Sequence, residues 1–398
     1  MAQATILGKL VYDRTGSELD LGLLGLLEFA PAAALVVVVG SVADRVDRRR
    51  VVAGAYLVEA VISVGLAVYA HARTTSIAPA LALAFAFGVC TAFANPASRS
   101  LPADMVGPEA LPKLIARSSI AWQGGLIAGP VLGGFLYVVG IPVPFVADAV
   151  LLLAGAGAVL VIRVTERQAS EEPDPLVEAM VEASGAASPS ARATWREAVE
   201  GLRFVRRHPV VLGAISLDLF AVLFGGAVAL LPAIARDRLH VGAVGLGWLR
   251  AAGGIGAALM TTALAVRPVA RRVGRILLVA VGVFGVFTIL LGLTHNFAVA
   301  FVAMLVLSGA DAISVFIRAT LVPLVTPEDK RGRVLAVENV FIGASNELGA
   351  FESGVAGQLL GTSASVVLGG VATIVVAATW AALFPGLRGV DRFPSRPQ

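Results

Sequence analysis

The sequence predicts an all-α membrane protein made of two six-helix bundles that a pseudo-twofold axis relates. Hydrophobic residues make up 57% of the 398 residues and charged residues only 15%, a balance far from that of soluble globular proteins. Apolar runs of about twenty residues, the length that an α-helix needs to cross a bilayer, recur along nearly the whole chain. Short charged clusters separate these runs. We therefore expect a lipid bilayer to surround the protein.

Eleven of the apolar runs are long enough to span a membrane. The predicted spans are residues 19–42, 51–70, 77–98, 118–140, 143–162, 209–232, 241–266, 276–294, 297–322, 334–361 and 363–386. A further run at the N-terminus is too short to cross about 30 Å of hydrocarbon. We expect this first helix to be truncated, either because the translation start is assigned too late or because part of the helix is missing.

Basic residues are concentrated in alternate loops. The rich loops hold Arg45, Arg48, Arg49 and Arg50; Lys113 and Arg117; Arg267, Arg271, Arg272 and Arg275; and Lys330, Arg331 and Arg333. By the positive-inside rule, these loops and the C-terminus are cytoplasmic. Twelve crossings with both chain ends in the cytoplasm fit this pattern.

One long polar segment divides the spans into two groups of six. We therefore expect an N-terminal bundle over residues 1–163, a linker over 164–208 and a C-terminal bundle over 209–398. The two groups also repeat short patterns. Arg99, Val106, Pro108 and Glu109 recur 219 residues later as Arg318, Val325, Pro327 and Glu328, and "VADRVDR" has a counterpart in "VARRVGR". Parallel repeats of this kind are typical of secondary transporters.

The end of the linker, "WREAVEGLRFVRRHP", has the pattern of an amphipathic helix. Its apolar residues, Trp195, Val199, Leu202 and Val205 or Phe204, fall on one side, and arginines follow them. This combination predicts a helix that lies at the cytoplasmic surface of the membrane.

Two motifs resemble signatures of the major facilitator superfamily. Gly40, Asp44, Arg48 and Arg49 match the G-x-x-x-D-x-x-x-R-R core of its loop between the second and third helices, although Asp47 stands where a glycine is often found. The resemblance implies a major facilitator fold along essentially the whole chain. It also implies that Asp44 acts as a cytoplasmic latch with Arg48 as its local partner. The alternative is that the stretch is only a topology signal.

The second motif lies on the fifth helix. "GLIAGPVLGG" resembles the G-x-x-x-G-P-x-x-G-G signature of superfamily antiporters, with Gly125, Gly129, Pro130, Gly133 and Gly134 at the matching positions. These residues remove side chains and one hydrogen bond, so the helix can bend and come close to a neighbour from the opposite half. Packing of small residues alone is the alternative explanation.

Four ionisable residues lie well inside predicted spans, where a charge costs at least ~2.5 to 3.5 kcal/mol. They are Glu28, Asp218, Arg250 and Asp311. Because the superfamily lines its cavity partly with the seventh helix, Asp218 is the first candidate for a proton-carrying acid. Arg250 could be its cation, could hold an anionic substrate, or could form a permanent structural pair. Glu59, on a third helix, is expected to have a structural or lipid-edge role.

The eleventh helix, residues 334–361 when the short N-terminal run is counted as the first helix, is unusually polar. Glu338, Ser345 and Glu352 recur every seven residues and so share one stripe, which Asn339 and Asn346 adjoin. Such a stripe has to face water or protein rather than lipid. It could coordinate substrate or satisfy partners between the two halves.

Within the superfamily, the linker, "PEDKRGRV" and "ENVFIGASNELG" resemble bacterial efflux members of the enterobactin exporter type. The resemblance implies a monomer in the bacterial inner membrane that exports siderophore-like or drug-like molecules by proton antiport. The alternative is a membrane sensor or scaffold that has kept the fold without transport.

Other functional classes lack support in the sequence. We find no phosphate-binding loop, metalloprotease helix or serine elbow, so neither an ATP-driven pump nor an enzyme is expected. Cys90 is the single cysteine, and the four histidines are scattered, so no metal or other cofactor is predicted. The basic residues lie between apolar runs rather than along one face, which argues against nucleic acid as a partner.

Overall fold

The structure of the protein is a computed structural model that describes residues 2–43, 47–72, 74, 76–107, 109–161 and 195–394. Helices dominate these ranges, and no strand occurs in them. The helices are α1 (Ala2–Thr15), α2 (Glu18–Ala43), α3 (Arg48–His71), α4 (Ala78–Met105), α5 (Leu111–Val139), α6 (Val143–Val161), α7 (Trp195–Arg207), α8 (Pro209–Phe224), α9 (Ala243–Val266), α10 (Val273–Leu293), α11 (Phe297–Val325), α12 (Glu328–Leu360), α13 (Thr362–Leu383) and α14 (Pro385–Arg388). The predicted all-α fold class is confirmed.

Nine helical segments in the described ranges are long and apolar enough to cross a membrane. They comprise α3 to α6, α9 to α11, α13 and the segment Pro209–Arg238 that begins with α8. This result supports a multi-pass membrane protein. The nine do not include α1, α2 or α12, and there the interpretation of twelve crossings stays a prediction.

Local chemistry fixes several helix starts. The Asp47 carboxylate accepts a hydrogen bond from the Arg49 backbone N–H and caps α3. The Asn296 side chain accepts from the backbone N–H groups of Ala298 and Val299 and caps α11. Proline opens α8 at Pro209, where its missing N–H would have had no helical partner. These caps satisfy donors that a helix start otherwise leaves without partners.

The chain forms two compact units. The first contains residues Met1–Leu26, Leu126–Val138 and Trp195–Gln398, and the second contains Leu27–Gly125 and Val139–Thr194. Inside the second unit, α3 packs against α4 and α6. Inside the first, α10 packs in the same way against α11 and α13. The predicted domain boundaries follow the polar linker instead and remain a prediction.

The short α1 belongs to the core of the first unit. Its side chains Ile6 and Val11 are fully buried, and Leu7 and Leu10 nearly so. The helix contacts Leu231–Ala233 and α9, which come from the C-terminal half of the sequence. Elements of both sequence halves therefore pack together within this unit.

The predicted span 209–232 is interrupted. After α8 ends at Phe224, the chain passes through Gly225 and Gly226 and continues as short 3-10, α and π turns up to Arg238. A Cβ on Gly226 would lie 2.5 Å from the carbonyl oxygen of Gly349 on α12. The glycine pair thus lies at a break in the helix where its backbone is close to α12.

The predicted amphipathic helix is confirmed as α7, and its apolar residues differ in exposure. Val205 is 1% exposed, whereas Leu202 is 38% exposed. A Cβ on Gly201 would meet the Arg333 carbonyl oxygen at 2.8 Å, so the face with Gly201 and Val205 packs on α12. The side chains of Trp195 and Val199 lie outside the described residues.

Candidate functional site

A buried ion cluster lies inside the first unit, between α8, α11 and α12. Arg318 Nη2 lies 2.7 Å from Asp218 Oδ1, and Arg318 Nη1 lies 3.4 Å from Glu338 Oε1. The three residues are 3% to 6% exposed. One guanidinium thus joins carboxylates on two other helices.

A third acid, Asp311, lies beside this cluster. Asp311, Ser314 and Arg318 occupy positions i, i+3 and i+7 of α11, so they share one face of the helix. Asp311 and Asp218 line one small cavity together with Ser314 and the apolar side chains Val281 and Phe284. The fold therefore brings three carboxyls and one guanidinium to one place in the bundle.

Two buried polar atoms at this site have no hydrogen-bond partner among the residues that the structure describes. They are Ser314 Oγ, on the wall of the cavity, and Arg318 Nε. Ser314 is only 3% exposed. A buried polar atom without a partner typically costs about 1–3 kcal/mol, so a hydrogen-bonding group at Ser314 would stabilise this part of the bundle.

The site is electrostatically unbalanced. If all three carboxyls were ionised, three negative charges against one positive charge would leave a net charge of −2 in the interior of the unit. Removing charges from water costs several kcal/mol per ion unless they are paired. Asp218 and Glu338 both have Arg318 as partner, whereas no ion pair to the Asp311 carboxylate occurs among the described residues. A bound cation or proton at Asp311 would reduce the imbalance.

The sequence-predicted candidates fall into two groups. Asp218, Asp311 and Glu338 meet at the cluster. Arg250, considered as the cation for Asp218, lies half-buried on α9, and Arg318 occupies that role instead. Glu28 belongs to the second unit, where its backbone carbonyl lies against Gly88 of α4.

The polar stripe of α12 is only partly buried. Glu338 and Ser345 are buried and Glu352 is half-buried, with Ser353 Oγ 3.5 Å from its carboxylate. Asn346 is exposed and donates to the Ile342 carbonyl of its own helix. Asn346 and Glu352 thus find hydrogen-bond partners on α12 itself rather than in the cluster.

Sequence reasoning missed Arg318 as a site residue. It attracted notice only as the repeat of Arg99, near the end of a predicted span. The signal that points to it is the i, i+7 spacing from Asp311, which places the two charges on one face of an apolar helix. An arginine at that position needs a carboxylate as partner. Few acids lie inside the predicted spans, so the candidates for that partner are few.

Most of the chain matches one known protein family. The sequence profile of the Major Facilitator Superfamily matches residues 1–350. The chain belongs to the Major Facilitator Superfamily. Family and fold identify it as a transporter rather than an enzyme. Comparison with curated proteins found no match.

Solved structures of superfamily transporters have the same fold. The nucleoside transporter NupG superimposes with a TM-score of 0.69 at 14% identity, covering 96% of this chain and 95% of its own. A bacterial homolog of the human lysosomal transporter Spinster, in an inward-facing conformation, gives 0.64 at 15% identity and coverages of 97% and 94%. The D-xylose–proton symporter gives 0.64 at 15% identity and covers 98% of both chains. At these identities the likeness establishes the fold alone.

The loop signature of the superfamily is described only in part. Gly40 lies in α2, while Asp44 falls outside the described residues. Asp47, the departure from the signature, pairs with Arg49 at 3.0 Å in addition to capping α3. The Arg49 side chain and its backbone N–H hold the pKa of the Asp47 carboxyl below its usual range. The latch assigned to Asp44 and Arg48 stays a prediction.

The fifth-helix motif packs closely against α9. A Cβ on Gly134 would lie 2.5 Å from the Ala243 carbonyl oxygen, and a Cβ on Gly247 would lie 2.4 Å from the Pro130 carbonyl oxygen. Gly133 faces Ala2 and Ile6 of α1. Gly125, at the start of the motif, has no atom within 4 Å of an added Cβ. The close contacts thus concentrate in the second half of the motif.

A polar network ties α1 to neighbouring elements of the first unit. The Tyr12 hydroxyl donates to Asp237, and Arg236 Nη1 donates to the Tyr12 carbonyl at 2.9 Å. Asp13 accepts from Lys9 at 2.8 Å and from the Tyr137 hydroxyl at 3.3 Å. These bonds join the end of α1 to α5 and to the π turn that follows α8.

Proposed function

We propose that the protein is a secondary active transporter that exports small organic molecules, siderophore-like or drug-like, by proton antiport. It works by alternating access as a monomer in the bacterial inner membrane, with a cytoplasmic C-terminus. The observation that carries the proposal is the buried cluster of Asp218, Arg318 and Glu338 with Asp311 beside it, in a chain of a transporter family. A scaffold has no need to bury three titratable acids around one cation.

The cluster supports coupling because its charges can be redistributed. Arg318 contacts acids on two different helices, so a movement of α8 relative to α12 changes how fully the guanidinium compensates the negative charges around it. A carboxyl that loses its cation in a low-dielectric interior gains affinity for a proton, and one that gains a cation releases it. Proton binding and helix movement are then linked, as antiport requires.

Small-residue seams support alternating access. In the first unit, α12 meets α2 at Gly354 and Gly22, and α9 meets α5 at Gly247 and Pro130. Helices in such backbone contact can separate without disrupting interdigitated side chains. Together with the polar network around Tyr12, these seams are suited to closing and reopening one end of a transport path.

The direction of transport rests on the two motifs. The fifth-helix signature with Pro130 and Gly134 resembles that of superfamily antiporters, and the eleventh-helix pattern resembles bacterial efflux members. Nucleosides, xylose and a lysosomal role belong to the structural relatives themselves. They do not favour a cargo for this chain.

Accumulation in inside-out membrane vesicles tests the proposal. Vesicles with the full-length protein receive a panel of siderophores and fluorescent dyes with and without an imposed proton gradient, acidic inside. We expect accumulation that needs the gradient and is lost in Asp44→Ala and Asp218→Asn. Asp329→Asn, an exposed acid at the start of α12, is the matched control and should accumulate normally. If well-folded protein accumulates none of the panel, the sensor or scaffold reading replaces this one.

A further inference from the structure

We infer that Asp311, with Ser314, forms the proton-binding site of the transporter, and that Asp218 is the fixed counter-ion of Arg318. This inference rests on the proposed proton coupling and names the residue that carries the ion. It reverses the order that the sequence favours, in which Asp218 is the first candidate.

The contacts separate the roles of the two aspartates. Asp218 forms an ion pair with Arg318 at 2.7 Å and is almost wholly buried, so its negative charge is compensated where it stands. Glu338 shares the same guanidinium at 3.4 Å. Asp311 is half-buried, lines the cavity and has no ion pair among the described residues. Asp218 lines the same cavity, but of the three acids Asp311 is the one whose charge no ion pair among the described residues compensates.

Ser314 supplies the independent observation. Its hydroxyl is buried, lacks a hydrogen-bond partner and lines the same cavity one helical turn beyond Asp311. A serine hydroxyl both donates and accepts, so it can accept from a protonated carboxyl and donate to an ionised one. The side chain thus fits both states of a proton-binding acid.

The charged groups of the cluster beside Asp311 lie on three helices. Asp218 on α8 and Glu338 on α12 are acids, and Arg318 on α11 is the cation that pairs with both. The α10 residues at the cavity, Ala280, Val281 and Phe284, carry no charge. The charged residue of the packed helix α9 is Arg250, which is not among the residues that line the cavity. Two acids and one committed guanidinium around Asp311 favour a bound proton over an ionised carboxylate.

The size and chemistry of the site favour a proton over a metal ion. Within the described ranges, no group of three or more histidine, cysteine or acidic side chains could hold a metal. The cavity walls next to Asp311 are mostly alanine, valine and phenylalanine, which offer no further oxygen ligands. A hard cation needs about six oxygen ligands, whereas a proton needs one acid and one acceptor.

Infrared spectroscopy of the purified protein in liposomes tests the assignment without any substrate. A protonated carboxyl gives a C=O stretch that is separate from the carboxylate bands. The spectrum of the wild type minus that of Asp311→Asn should contain a protonated carboxyl component, because the wild type carries its proton on Asp311 and the variant has no carboxyl there. The spectrum of the wild type minus that of Asp218→Asn should contain a carboxylate component instead.

Two further variants sharpen the test. Ser314→Ala keeps every carboxyl and should shift the protonated component of Asp311, and this arm remains informative if Asp311→Asn does not fold. Asp148→Asn, at a half-buried acid of the second unit that accepts from Ser63 at 2.7 Å, should leave that component in place. The assignment is overturned if the component persists in Asp311→Asn or disappears only in Asp218→Asn. Because no substrate is needed, this result stands apart from success or failure of the vesicle experiment.

Discussion

Arg318 on α11 holds Asp218 on α8 at an Nη2–Oδ1 distance of 2.7 Å, with both side chains more than nine-tenths buried. Removing one partner of a buried pair leaves a charge without compensation and costs about 3–5 kcal/mol. We expect Arg318→Met to lower the midpoint of thermal unfolding in detergent strongly. Arg333→Met is the matched control, because Arg333 pairs with Glu200 at the surface and such pairs contribute about 0–1 kcal/mol. Equal midpoints for the two variants would contradict a structural role for the Arg318 pair.

The contact between Gly354 and Gly22 gives a prediction about gating. A Cβ on Gly354 would lie 2.8 Å from Gly22 Cα and 2.7 Å from the Glu18 carbonyl oxygen. We expect Gly354→Val to keep α12 away from α2 and to raise the reactivity of a cysteine at Ser17, which hydrogen-bonds Gln358 in this seam. Cysteine labelling with a membrane-impermeant maleimide measures the change, in a background where Cys90 is replaced by serine. Gly282→Val has open space for its side chain and serves as the control. Similar labelling in both variants would refute the proposed role of this seam.

The network at the end of α1 gives a second prediction about the same movement. Asp13 accepts from Lys9 and Tyr137, and Arg236 Nη1 lies 4.0 Å from it. Asp13→Asn keeps the shape of the side chain but removes the charge that holds these donors. We expect it to increase the labelling of the same cysteine at Ser17. The increase should be several-fold smaller than in Gly354→Val, because the contact between the α2 and α12 backbones stays intact. An exposed acid elsewhere, Asp391, provides the control as Asp391→Asn. Labelling above that of Gly354→Val would show that the network, not the seam, closes this end.

The Asp47 cap should stabilise the protein to the same extent throughout the neutral pH range and lose this effect only in acid. Its carboxylate caps α3, and losing an N-cap costs about 0.5–2 kcal/mol. Because Arg49 lowers the pKa of Asp47 in the folded protein, the stabilisation is present above the unfolded-state pKa of about 3.9 and is lost as the pH falls through the lower folded value. We expect Asp47→Ala to lower the unfolding midpoint equally between about pH 5 and 8. Asp47→Asn, which keeps the cap without titrating, should lie closer to the wild type. A deficit of Asp47→Ala that varies across that pH range would contradict this account.

Much of the fold follows from the sequence because apolar length alone places membrane helices. The run 297–322, for example, became α11 at Phe297–Val325, and the amphipathic pattern became α7 at its predicted residues. What the sequence does not reveal is which side chains of different helices meet. Val205 rather than Leu202 packs on α12, because Gly201 lets the α7 backbone approach Arg333 on that side.

The site was predictable to a similar degree. Asp218, Asp311 and Glu338 stand out because each places a charge inside an apolar or helical stripe. Arg318 did not stand out, because an arginine near the end of a span reads as a loop residue until the three-dimensional fold places it beside acids of α8 and α12. Pairing across helices depends on tertiary contacts, which periodicity along one helix does not contain.

The most direct test of the central claim is to compare two kinds of transport by Asp311→Asn in inside-out vesicles. The probe is any siderophore or dye of the panel that the wild type accumulates against its gradient. We predict that Asp311→Asn still exchanges labelled for unlabelled probe across the membrane but no longer accumulates it when a proton gradient is imposed, while Asp148→Asn does both. An Asp311→Asn variant that accumulates the probe with unchanged dependence on the proton gradient would contradict the claim that the α8, α11 and α12 cluster couples transport to protons.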